Sequence, residues 1–135
     1  MKTLIVEDDF LSRLTLLELL KSSGPTQVAV NGQEAVDAVR KGLEENDPFD
    51  LICLDIMMPE MDGQQALKEI RQLEKTHGIP EERGAKVLIV TALADRNMVI
   101  QAFREQCDGY LVKPIDRAKL MDYLELFEKI DRTHP

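Results

Sequence analysis

Tryptophan is absent from this chain, aromatic residues of any kind make up 4% of it, and only two of its 135 residues are cysteines. Cys53 and Cys107 form neither a C-x-x-C pair nor a zinc-ligand spacing. That argues against a disulfide-stapled scaffold and against a zinc module, and it suits a reduced, cytoplasmic setting. Positive charge is also scarce: 17 Lys and Arg stand against 25 Asp and Glu, a net charge of -8. Such a balance disfavours direct binding of nucleic acid or of an anionic membrane, both of which need a basic patch. No apolar run approaches the roughly 20 residues of a membrane span. The opening MKTLIVEDD has one lysine and a short apolar run before its acids, which is not a secretory signal. What remains, 44% hydrophobic and 31% charged, is ordinary globular composition, and residues 1–135 are expected to form a single domain.

Four apolar blocks have strand length: TLIV (3–6), DLICLDI (50–56), KVLIV (86–90) and GYLV (109–112), with a weaker fifth, TQVAV (26–30). Continuous blocks, rather than alternating ones, suit strands covered on both faces. Helical signals lie between them. Leu11, Leu14, Leu17 and Leu20 recur every third position over 10–22, and the pattern stops at Ser-Ser-Gly-Pro. Asn31 with Glu34, and Asp62 with Gln65, have the capping-box spacing, and Asp95 and Asp116 precede further apolar periods. Strand and helix alternate five times. The predicted fold is therefore α/β, a five-stranded parallel sheet with five helices on both faces, a flavodoxin-like doubly wound (βα)5. The connection KTHGIPEERGA (75–85) is polar and punctuated by Gly and Pro, so a surface loop is expected there.

Ligands of such sheets sit beyond the carboxyl ends of the strands. Here those ends deliver Glu7-Asp8-Asp9, Asp55, Thr91-Ala92 and Lys113-Pro114. Clustered carboxylates repel, and burial adds a desolvation cost. A hard cation held by oxygen ligands resolves that conflict; Mg²⁺ fits, with Mn²⁺ as a substitute. Lys113 supplies a second positive charge opposite Asp55, and Thr91 a hydroxyl. Together they describe a phosphoryl site, with Asp55 as a carboxylate nucleophile able to form an acyl phosphate. Singly, each has a plainer reading: a helix cap, a turn acid, a strand-end hydroxyl. Asp9 is expected to do little beyond capping the first helix, Pro59 to turn the chain, and Asp62-Gly63 to start the next helix.

The acidic run after the first strand, D-x-M-M-P-x-M-D-G around Asp55, T-A at 91–92 and K-P at 113–114 together resemble the receiver domain of two-component response regulators, in its stand-alone, chemotaxis-regulator-like form. The resemblance covers essentially the whole chain. It implies Asp55 as phosphoacceptor, with Lys113 and Thr91 as its catalytic neighbours. The metal would be held by Glu7, Asp8, Asp55 and the backbone carbonyl of Met57; Arg13, five positions after Asp8, fixes which acids form the pair. Thr91 and Tyr110 match the switch pair, and the Lys113-Pro114 bond is expected to be cis. The implied donor is a phosphohistidine on a sensor histidine kinase or a histidine phosphotransfer protein. Phosphorylation would remodel the surface of the fourth helix, fifth strand and fifth helix for a downstream protein or a homodimer. Such a protein acts only on its own phosphorylation and dephosphorylation.

Val99 and Phe103, spaced i, i+4, belong either to the core or, with Tyr110, to that partner surface. Gln106 stands where the family usually has glycine, so a costly helix-end conformation is expected. Met57 and Leu93 occupy positions that tune phosphoryl lifetime in the family, and neither can orient a water, which predicts slow self-hydrolysis. Two alternatives compete. A magnesium-dependent aspartyl-phosphate phosphatase needs a second acid two residues after the nucleophile, where this chain has Met57. An inactive receiver-like scaffold would not need Asp8, Asp55, Thr91 and Lys113 together.

Overall fold

The computed structural model describes residues 1–58, 61–93 and 95–132. Pro59, expected to turn the chain, lies outside them. Strands β1 (Thr3–Val6), β2 (Thr26–Ala29), β3 (Leu51–Leu54), β4 (Lys86–Thr91) and β5 (Gly109–Val112) alternate with helices α1 (Phe10–Leu20), α2 (Gly32–Glu44), α3 (Gly63–Thr76), α4 (Arg96–Arg104) and α5 (Arg117–Arg132). All strand pairs are parallel, in the order β2-β1-β3-β4-β5. This is the expected doubly wound sheet. The chain leaves β1 toward β2, then crosses back to β3, so the order reverses between β1 and β3. In open α/β sheets the ligand crevice lies at that reversal.

Strand side chains alternate between faces, and this divides the core in two. Leu4, Val6, Ile52, Leu54, Val87 and Ile89 pack under α2, α3 and α4. Ile5, Leu51, Cys53, Leu88, Val90 and Leu111 pack under α1 and α5, where Leu120, Leu124 and Phe127 close the layer. Both faces being covered is why β1, β3 and β4 read as unbroken apolar blocks.

The helix starts follow their caps. Asp9, Asn31, Asp62 and Asp95 each accept a hydrogen bond from a backbone N–H of the first turn. The Glu34 carboxylate accepts the Val30 N–H (3.1 Å), so the reciprocal bond of the expected capping box falls one residue earlier than Asn31. The leucine stripe of α1 departs from expectation: Leu16 and Leu20 are buried, while Leu11 is 71% exposed and Leu14 is also exposed. Leucine lies on every side of this helix, so its spacing could not select the inward face; the packing of α1 on β1 and α5 does. The 75–85 connection is also shorter than read. α3 continues through Thr76, Gly78 turns the chain at φ 74, and a 3-10 turn spans Glu81–Arg83. Gln106 does take the left-handed conformation (φ 72), and Lys113-Pro114 is cis. Among the described residues no helix is long and apolar enough to cross a membrane.

Candidate functional site

Register brings the site together. Val6 lies opposite Leu54, so the residues that follow, Glu7 and Asp55, leave the sheet side by side. Backbone bonds extend the ladder past the last strand residues: Glu7 N–H to the Ala29 carbonyl (3.0 Å) and Asp55 N–H to the Val6 carbonyl (3.1 Å). On the other side of β3, Lys113 N–H donates to the Thr91 carbonyl (2.8 Å). Four strand ends thus hold their side chains with backbone precision.

Asp55 is buried, and both its oxygens are engaged. Oδ1 accepts the Met57 N–H (2.9 Å), and Oδ2 accepts from Lys113 Nζ (3.0 Å). The same ammonium lies 2.8 Å from Glu7 Oε2. Glu7 Oε1 accepts the Asp9 N–H (3.1 Å). Asp8 is exposed, yet it offers a carboxylate oxygen within 4.8 Å of one from Glu7 and one from Asp55. Two of these carboxylates therefore share one lysine, and the third lies beside them. Burial raises the Glu7 carboxyl above its ordinary pKa, and the Asp55 charge adds to that against the lowering by Lys113 and the Asp9 N–H. Burial alone would lower the Lys113 ammonium, but its bonds to Glu7 and Asp55 outweigh that and hold it above its usual value.

The donor set suits a small divalent cation. It is all oxygen, it carries excess negative charge, and Glu7 Oε2 is buried with no directed hydrogen bond despite its ion pair to Lys113. Hard cations bind such carboxylate groups while keeping several waters.

Thr91 is buried, and its Oγ1 makes a long contact from the Leu93 N–H (3.4 Å). The Tyr110 hydroxyl donates to the Leu93 carbonyl (2.9 Å), and the Tyr110 N–H donates to the Tyr123 hydroxyl (3.3 Å). Thr91 and Tyr110 thus meet at the same backbone unit, Leu93. On α4, Val99 is partly buried and Phe103 is 46% exposed, so the core reading of Phe103 fails. Met57 is 55% exposed above Asp55.

Two contributors carried little sequence signal. Arg13, used only to register the acidic pair, donates through Nη1 to the Glu7 carbonyl (3.1 Å) and the Asp8 carbonyl (3.4 Å), tying down the turn that carries them. Gly63, expected only to open α3, is wedged against the backbone of Asp55 and Ile56. The D-G pair could signal a helix start, but not the neighbour that demands the glycine.

Comparison with known proteins agrees with this geometry. Residues 3–125 match the response regulator receiver domain. The chain is similar to chemotaxis protein CheY-3 of Vibrio cholerae, 36% identical over 133 residues, covering 96% of this chain and 94% of that one. It is also similar to hybrid signal transduction histidine kinase B of Dictyostelium discoideum, 37% identical over 129 residues; the match covers 89% of this chain but spans 6% of the kinase. Among solved structures, the receiver domain of the histidine kinase CKI1 of Arabidopsis thaliana, complexed with Mg²⁺ and BeF₃⁻, superposes with a TM-score of 0.82 at 28% identity, covering 95% of this chain and 89% of that one. With the acidic cluster at the β1/β3 reversal and the family match over nearly its full length, the chain belongs to the response regulator receiver family of two-component signalling, whose members are switches rather than metabolic enzymes.

Proposed function

We propose that this chain is a phosphorylation-activated switch in which Asp55 accepts a phosphoryl group from a phosphohistidine on a sensor histidine kinase or a histidine phosphotransfer protein. One observation carries the reading: Asp55 is buried at the β3 end with one oxygen held by the Met57 N–H and the other by Lys113, within metal-sharing distance of Glu7 and Asp8. A carboxylate oxygen of Asp55 attacks phosphorus, the P–N bond breaks, and the imidazole leaves with a proton. Lys113 stays beside the new phosphoryl oxygens and neutralises part of their charge. Glu7, Asp8, Asp55 and the Met57 carbonyl would hold Mg²⁺, which supplies the remaining charge neutralisation at the phosphoryl oxygens. The Thr91 hydroxyl turns toward those oxygens. Its shift changes the Leu93 segment that Tyr110 holds, and so the α4-β5-α5 surface, where Val99, Phe103 and Tyr110 would meet a downstream protein or a second copy.

The phosphatase alternative lacks its second acid, because Met57 presents an exposed thioether where that acid would stand. The test compares wild type with Asp55→Asn in Mg²⁺ and a small acyl phosphate by intact mass. A phosphoryl adduct on wild type alone is expected; no adduct on wild type refutes the reading.

A further inference from the structure

α4 is lightly embedded: of its nine residues only Ala102 is fully buried. Nine residues make a helix of about 14 Å, so its two ends are far apart and its position depends on how they are held. The first end is capped by Asp95, two residues past the Leu93 carbonyl that takes the Tyr110 hydroxyl. The second end is held by a residue of α3, Arg71.

The five N–H groups of a guanidinium form a rigid fork, and Arg71 places that fork among four segments. Nε and Nη2 both donate to the Gln106 carbonyl just past α4 (3.0 and 2.8 Å), and Nη2 pairs with Asp108 before β5 (3.0 Å). Nη1 donates to the Ala85 carbonyl before β4 (2.8 Å) and to Glu74 on α3 (2.6 Å). Its counter-ions are themselves fixed. Glu74 Oε2 accepts the Ala85 N–H (2.7 Å), and Asp108 Oδ2 accepts the Val87 N–H (2.8 Å). Gln106 holds the left-handed backbone (φ 72), which is unfavourable for a side chain other than glycine. Its amide also reaches Glu81 in the 75–85 connection (3.0 Å). A cleft of about 420 Å³ separates that connection from the α4 end, with Arg71 in its lining and Ile79 and Phe103 among its apolar residues.

We propose that Arg71 is a positioning residue for the switch: by gripping the Gln106 carbonyl it fixes the end of α4 remote from Asp55, and so sets how readily α4 follows a change at Leu93 and Tyr110. The 75–85 connection is part of this clamp, through the Ala85 carbonyl. The inference rests on the switch reading above. While Asp55 is paired with Lys113, the clamp holds α4 in place, so activation that moves α4 works against it.

Arg71→Gln removes the fork, and Arg71→Lys keeps the charge without it. In metal-free protein, amide hydrogen exchange over 99–107 is expected to rise about tenfold in both variants, with the β1 and β3 amides little changed, as for a local opening. In an amide-shift titration with Mg²⁺ and BeF₃⁻, both variants should bind the activator about fivefold more tightly than wild type, because linkage converts the lowered cost of moving α4 into affinity. A purely structural arginine would weaken all states alike and leave that affinity unchanged. Affinity equal to or weaker than wild type overturns the proposal, as does a lysine variant that behaves like wild type. If the buried acids stop Arg71→Gln from folding, the lysine variant carries the test. Gln106→Gly, which keeps the gripped carbonyl, is expected to bind BeF₃⁻ like wild type; tighter binding there also counts against the clamp. Wild type that does not bind BeF₃⁻ sinks the switch reading itself, whereas normal binding with indifferent Arg71 variants sinks only this inference.

Discussion

Replacing Gly63 with alanine adds one methyl group at the closest approach of two backbones. A Cβ there would lie 2.5 Å from the Ile56 Cα and 2.9 Å from the Asp55 carbonyl carbon, and closer still to the Asp55 carbonyl oxygen. Carbon atoms settle at about 3.5–4.0 Å, so one chain must move by about 1 Å. These neighbours are main-chain atoms and cannot swing aside. Gly63 is not in the left-handed region, so the effect is steric. Relief comes by lifting the start of α3 or by pushing β3's exit, which carries Asp55. Overpacking of this kind costs about 1–3 kcal/mol. The functional loss should be larger than that figure suggests, because a 1 Å misplacement of a reacting group costs on the order of 100-fold. The assay is the initial rate of acyl-phosphate labelling of Asp55, followed by intact mass well below both melting temperatures. The expected result is a rate down at least about tenfold in a folded variant that melts a few degrees lower. A variant that labels at the wild-type rate would show that Gly63 does not position the phosphoacceptor.

Four further outcomes follow from the same geometry. Glu7→Gln removes one buried charge from a cluster of three carboxylates in which burial and the Asp55 charge already disfavour it, so the metal-free protein should gain about 1 kcal/mol, since charges about 4 Å apart interact by roughly that amount in water and more when buried; Mg²⁺ should then raise its melting temperature less than it raises that of wild type, and equal shifts would argue against Glu7 as part of the metal site. Phe103→Ala should cost only about 1 kcal/mol in denaturant unfolding, because half the ring is already in water; a loss of 3 kcal/mol or more, the range of a buried phenylalanine, would return it to the core. Met57→Asn with Leu93→Glu should shorten the phosphoryl lifetime on Asp55, measured as adduct decay after the donor is removed, and an unchanged lifetime would leave those positions without a tuning role. Burial pushes the Cys53 thiol to about 12 and the Cys107 thiol to about 11, above the unfolded value of 9.0. The folded state therefore holds these protons where the unfolded chain releases them, so stability falls as pH rises through 9 toward 12, and iodoacetamide at pH 8 should leave both cysteines unalkylated in folded protein.

Sequence alone determined the alternation of strand and helix, because each apolar block had strand length and each cap a short polar side chain at the right offset. It also brought Glu7, Asp8, Asp55, Thr91 and Lys113 to one sheet edge, since parallel strands deliver the residues after them to the same side. What it could not decide were questions of direction and neighbourhood. The leucines of α1 encircle the helix, so only packing on β1 and α5 selected Leu16 and Leu20 over Leu11 and Leu14. The halving of Lys113 between Glu7 and Asp55 depends on residues up to 106 positions apart meeting within hydrogen-bond range. Nothing in the local pattern marked Arg71, and only the tertiary fold brought Ala85, Gln106 and Asp108 to its guanidinium. Local pattern records which residues a chain offers to its interior; the three-dimensional register of β1, β3 and β4 decides which of them touch.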